Sequence, residues 1–353
     1  MKNRVMTFIL TLLAIMTASV SVVYQQKRAQ LRPGPVAGGD GIVLPNGWRI
    51  TPAGRHVPLP GDMAMKIIVS PDGQQALVNT AGWHDHSVNL IDLGLIDPRT
   101  AKVSATINVA KDWTGMAQDP RSGEIFVSGG GALTPQFTAL ARQRGVAGEM
   151  LEALKSPVLR LGLTGGQFAI RPSVAIEGLS EKERFIAGVT LGRDGSLYVV
   201  NIQNDTLYRL SGENFSRQQM AKVGYRPYAA ALAPDGRTLA VSNWGDESVS
   251  LLDAETLREN RRVKVGNHPN DLVWSRDRRL FVANSGSNSI SVIRDGQVVE
   301  TIRTSLDRSA PVGSSPISLA ITGDGRRLFV ANADNNNVAM IDIGDQRQSA
   351  VLG

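Results

Sequence analysis

The chain repeats itself, and the repeat leaves few folds open. The turn segments SPDG (70–73), DPRSG (119–123), GRDG (192–195), APDG (233–236), SRDR (275–278) and GDG (323–325) each stand between two apolar runs. Their aspartates, Asp72, Asp119, Asp194, Asp235, Asp277 and Asp324, lie 47, 75, 41, 42 and 47 residues apart. A unit of about 42 residues therefore recurs, and the long interval carries an insertion.

Each unit has the same grammar. A lead-in loop, with Pro227, Pro269 or Pro316 in three units, opens a short apolar strand such as AAALA or ISLAI. The Asp/Gly turn follows, because Gly, Asn and Asp reach the positive φ of a tight hairpin at low cost. A second strand ends at Asn79, Ser128, Asn201, Asn243, Asn284 or Asn332, and a third reads SVNLID, TLYRL, SVSLLD, SISVIR or NVAMID. The fourth alternates apolar with charged residues, as in RRVKVG. Such a sheet is buried at one edge and wet at the other, and stacking these sheets radially gives a β-propeller. No helical pattern follows Phe185, which excludes an α/β solenoid, and the GH and WD dipeptides of WD40 repeats are missing.

Six lead strands are expected, near 65, 114, 187, 229, 271 and 318. Residues 47–59 (GWRITPAGRHVPL) read as the third and fourth strands of one more blade. The expectation is an all-β, seven-bladed propeller architecture with four-stranded blades, six complete plus this N-terminal half blade, in a C-terminally incomplete chain. A six-bladed ring with the hairpin packed aside is the alternative.

LFVAN at 280–284 and again at 328–332, with LYVVN at 197–201, resembles the strand that names the YVTN-repeat, YncE-like propellers of exported bacterial proteins. LPNGWRITPAGRHVPLP running into MAMKIIVSPDG is similar to the opening of propellers that precede an alkaline-phosphatase-type phosphoesterase domain. That resemblance implies a fold over residues 47–353. It carries no phosphoesterase residue over to this chain, since the family's catalytic groups would lie in the downstream domain.

The 353 residues include no Cys, which excludes a disulfide scaffold, thiolate metal sites, a cysteine nucleophile and a lipid-modified Cys. Of 38 basic residues, Lys2, Arg4, Lys27 and Arg28 fall in the first 30 with no acid, so the remainder is close to neutral against its 32 acids. The net charge of +6 thus gives little ground for nucleic-acid binding. It marks instead the apolar run 5–23 as a signal peptide or an uncleaved membrane anchor within 1–30, the chain's one membrane contact, followed by a flexible tether at 31–46. The chain is expected to be exported, periplasmic or secreted.

In a propeller the lead-in loops and the loops between strands two and three share one face. There the sequence gathers Trp83, His84, Asp85 and His86, in a loop two residues longer than its counterpart in the fourth unit, and Asp112 with Trp113. Tyr225, Arg226, Tyr228 and Trp244 form an aromatic and cationic group, and Asn270 joins the ligand candidates. The excursion 132–156 spaces Phe137, Leu140, Ala147, Met150, Leu151 and Leu154 as a helix or helix pair capping the first two blades. His84 and His86 are weak metal candidates, and the strand-end asparagines are assigned to loop backbone. No cofactor is expected, and no GxSxG, P-loop or Rossmann motif occurs. The reading is an exported, non-catalytic binding or scaffold module with a ligand or protein domain at its mouth. The alternative is a hydrolase, either lactonase-like, with Asp112, His84 and His86 at the mouth, or the front of a propeller–phosphoesterase.

Overall fold

The computed structural model describes residues 57–60, 63–70, 72–81, 86–95, 100–304, 314–335 and 337–344, and the backbone of short strands at 34–35, 42–43, 49–50 and 351–352. The chain divides into two units, Met1–His56 and Val57–Gly353. In the first, Gly34–Pro35, Ile42–Val43 and Arg49–Ile50 form a small antiparallel sheet. The apolar run expected to be an export segment lies outside the described residues.

The second unit is a propeller of six sheets, each built on four consecutive antiparallel strands. Their innermost strands are Met63–Val69, Met116–Gln118, Phe185–Leu191, Pro227–Leu232, Pro269–Trp274 and Pro316–Ile321. All six fall where the turn spacing puts them. Alternating side chains of each strand face the neighbouring sheets on either side. In sheet three, Leu197 and Val199 pack toward sheet two, and Tyr198 and Val200 toward sheet four. Sheets two and three are also stitched together, because Gly130–Gly131 leaves sheet two and pairs with Phe185 and Ile186 as a fifth strand of sheet three.

The seven-bladed expectation is corrected, since the described residues form six blades. Of the supposed half blade 47–59, Arg49–Ile50 pairs with Ile42–Val43, its partners six and eight residues away. Short-range pairing costs less loop-closure entropy than a distant one. Val57 and Leu59 instead lie on Ala76, Val78 and Ile91 of sheet one.

The turns are built as their residues dictate. Asp235 Oδ1 accepts the Arg237 and Thr238 N–H groups while Gly236 takes φ 73°. The Ser70 hydroxyl and the Gln74 N–H hold the Asp72 carboxyl below its usual range, and Thr322 and the Arg326 N–H do the same for Asp324. Asn201, Asn243 and Asn332 secure loop backbone as expected: Asn201 and Asn243 accept the Phe185 and Gly224 N–H groups, and Asn332 donates to Thr304 O.

Tyr198 ties sheet three to sheet four, its buried hydroxyl donating to Ala254 O at 2.7 Å. Tyr198→Phe strips a buried carbonyl of that donor and is expected to cost about 1–2 kcal/mol, measurable as a lower urea midpoint at constant m.

Candidate active site

The insertion folds as two helices, α1 (Pro135–Gln143) and α2 (Gly148–Ala153). Thr134 caps α1 by accepting the Phe137 N–H, and Pro135 suits the first turn. Ala141, Met150, Leu151 and Leu154 join the core between sheets one and two, so the pair caps those two blades. Arg184, from the loop leading into sheet three, donates to the carbonyls of Leu154 and Lys155 at the end of α2. A cation there complements the helix C-terminus.

Close to Phe137 of α1 is a buried polar pair. His86 Nδ1 is 2.6 Å from Asp112 Oδ1, and the Asp112 side chain is fully buried. Asn79 Nδ2 donates to Asp112 Oδ2 at 2.8 Å and to Trp113 O at 2.6 Å. The Phe137 ring meets His86 edge-on, with centroids 6.4 Å apart. Burial pushes the Asp112 carboxyl up, opposed by the hydrogen bonds from His86 and Asn79. An Asp carboxylate accepting Nδ1–H leaves Nε2 as the basic nitrogen of a neutral imidazole, and no described residue hydrogen-bonds that nitrogen.

Sequence reasoning had Asn79 as a strand-end asparagine, and register shows otherwise. Asn201, Asn243, Asn284 and Asn332 lie opposite Thr206, Ser248, Ser289 and Asn337 at the start of strand three. In sheet one that place belongs to Thr80, opposite Ser87. Asn79 is one residue earlier, so its side chain points to sheet two, where Asp112 lies. The signal was present in the longer loop, but only pairing turns it into a direction.

The central channel is a cavity of about 660 Å³ lined by all six innermost strands. Thr114, two residues along the chain from Asp112, lines this channel, while His86, Asp112 and Asn79 do not line it. Inside, Lys66 Nζ approaches Asp271 Oδ1 at 3.6 Å, and Asp271 Oδ2 also accepts from Ser318 Oγ and Leu319 N. Tyr228 reaches Thr114 and Trp113, and burial pushes its phenol up. Asn270 Oδ1 is buried with no hydrogen-bond partner among the described residues. The volume and these few polar groups suit a small ligand. Lys66 and Asp271 were missed from sequence, although each is a lone charge in an apolar lead strand.

The other candidates separate. Trp83, His84 and Asp85 lie outside the described residues. Trp113 packs edge-on against Phe185 at 5.3 Å. Trp244 stacks flat on His268 at 3.9 Å, and Arg226 lies over Tyr225, so the aromatic group of the fourth unit divides into two pairs. Among the described residues no three His, Asp or Glu side chains gather as a metal site.

No protein-family model and no curated protein matches the chain. Solved structures match its fold. The periplasmic gluconolactonase PpgL of Pseudomonas aeruginosa is 17% identical with TM-score 0.61, over 82% of this chain and 84% of that one. A putative 6-phosphogluconolactonase of Bacteroides fragilis is 16% identical with TM-score 0.61, over 91% and 92%. A catalytically inactive variant of virginiamycin B lyase from Staphylococcus aureus, with quinupristin, is 12% identical with TM-score 0.58, over 82% and 83%. The reading as a non-catalytic binding or scaffold module is corrected by the gluconolactonase-like neighbours, which point to the hydrolase alternative that named Asp112 and His86. In fold the chain is similar to the lactonase-like β-propellers.

Proposed function

We propose that the chain is a hydrolase of small cyclic esters, with His86 as general base and Asp112 as its positioning partner. The observation that carries this reading is the 2.6 Å contact between His86 Nδ1 and the fully buried Asp112 carboxyl, two residues along the chain from Thr114 of a ligand-sized channel. Asp112 fixes the tautomer and ring orientation and stabilises the imidazolium that forms, while Asn79 holds Asp112 in place. His86 Nε2 takes a proton from water as the water oxygen bonds to the lactone carbonyl carbon. The ring C–O bond then breaks, and the departing alkoxide takes the proton back from His86 to give the hydroxy acid. Lys66, Tyr228 and Thr114 in the channel supply donors that orient the ring. The fold of the gluconolactonase-like neighbours supports the substrate class.

The test is hydrolysis of a panel of five- and six-membered sugar and aliphatic lactones by the full chain, followed by proton release. Opening of at least one lactone well above its spontaneous rate is expected, and rates equal to buffer across the panel would sink the proposal.

Two finer points belong to the same reading. The LFVAN and LYVVN strands support kinship with YncE-like propellers, including those preceding phosphoesterase domains. The apolar run 5–23 behind Lys2 and Arg4 supports export and with it a reaction outside the cytoplasm.

A further inference from the structure

Five of the spaces between neighbouring sheets are filled by apolar side chains from both sides. The space between sheets six and one is different, and a repeated pentapeptide shows it. LFVAN occurs in sheet five (280–284) and in sheet six (328–332). In sheet five, Phe281 and Ala283 are fully buried against sheet six, with their cross-strand partners Val292 and Ile290 at 1% and 0% exposure. In sheet six, the same two side chains, Phe329 and Ala331, are only half-buried. Their partners Met340 and Val338 lie in identical register, yet Val338 is 58% exposed. Sequence and register agree, so the difference lies in what stands opposite.

Across the space, Ile67 and Val69 of sheet one are 60% and 58% exposed. They pair with Val78 and Ala76, which Val57 and Leu59 cover, so the innermost part of that face is bare. Ala320 extends the bare face of sheet six, and Arg327 opposite Asp342 gives it a polar rim at one end. An apolar centre with a charged rim, continuous with five filled contacts of the same kind, has the character of an interface.

We propose that this slot docks a β-sheet of a partner polypeptide that is apolar on both faces and inserts between sheets six and one. The partner's chemistry follows from the five existing contacts. Onto Phe281, Ala283, Ile290 and Val292 of sheet five, sheet six lays Leu319, Leu328, Val330 and Ile341 from alternating positions of its first three strands. A sheet offering branched residues at those positions would meet Phe329, Ala331, Val338 and Met340 in the same way.

The chain has no Cys, so a single introduced thiol reports on the slot. Val338→Cys, Ile290→Cys and Val299→Cys are made in the full chain, folding is checked by circular dichroism, and thiol reaction with Ellman's reagent is timed. The probe is a cyclised hairpin peptide reproducing residues 316–332, which carries Leu319, Leu328 and Val330. Val338→Cys is expected to react about 10-fold faster than its buried counterpart Ile290→Cys, as an open site does against one requiring local unfolding. Saturating peptide is expected to slow Val338→Cys several-fold while leaving Val299→Cys, on the exposed outer strand of sheet five, unchanged. Three results overturn the proposal. An unreactive Val338→Cys in a monomer means the chain covers its own slot, and reactivity appearing only as a dimer dilutes apart means the occupant is a second copy. A reactive thiol that millimolar peptide does not protect means the slot receives no sheet.

Discussion

Asp112→Asn is expected to lower kcat for lactone opening by on the order of 10³-fold or more while leaving the fold intact. Asparagine keeps the shape of the buried site and can still accept from Asn79 through its carbonyl oxygen. Toward His86 it must offer an N–H group, which forces the imidazole to carry its proton on Nε2, the nitrogen that has to be bare to act as base. Stability should move the other way. Burial raises the folded pKa of Asp112 above its ordinary value. The stability contributed by this carboxyl is therefore fully present below the ordinary carboxylate range and is lost as pH rises through the raised value. Above that raised value the native chain has lost it while the amide, which does not titrate, has nothing to lose, so there Asp112→Asn should unfold at equal or higher urea concentration than the parent. Steady-state lactone kinetics with urea unfolding on the same samples decide the matter. Parent-like kcat would remove the proposed role, and His86→Gln should match the kinetic loss.

Gly115→Ala is expected to be the most damaging small substitution in the fold. A Cβ at this position would sit 2.5 Å from Ala187 O and 2.7 Å from Val189 N, both backbone atoms of sheet three. A rigid backbone cannot swing aside as a side-chain end can, so the innermost strands of sheets two and three must separate. Gly115 is also fixed from its own sheet, with Ser128 Oγ accepting its N–H and its carbonyl accepting the Ser128 N–H. Overpacking of this kind costs about 3 kcal/mol. Gly148→Ala is the control, since nothing lies within 4 Å of its added methyl and it begins a helix. Ala there should be neutral or stabilising by up to about 1 kcal/mol. Equal urea midpoints for the two variants would contradict the close backbone contact. Gly188 makes a similar approach to sheet four, its Cβ position 2.8 Å from Tyr228 O.

Both predictions depend on contacts between sheets, and there the legibility of the sequence ends. The turn spacing located all six innermost strands, because Asp/Gly chemistry and strand alternation act over a few residues. The helix pair within 132–156 was readable for the same reason, from apolar spacing of three and four. Asn79 was misread since its meaning rests on a one-residue offset from its look-alikes, and an offset of one reverses the face a strand residue serves. Tyr225, Arg226 and Trp244 looked like one patch because they are near each other in sequence, but Trp244 turned to His268 of the next unit.

What the sequence determined by itself was therefore everything local and repeated: the strands, the turns, the inserted helices and the class of fold. Only the tertiary structure decided that Asp112 reaches His86, that Lys66 meets Asp271 across the channel, and that Phe and Ala of one LFVAN are fully buried while those of its twin are only half-buried. The physical reason is common to all three. A residue's local conformation follows from its own chemistry and near neighbours, whereas its protonation, partner and burial depend on what the packed ring places against it.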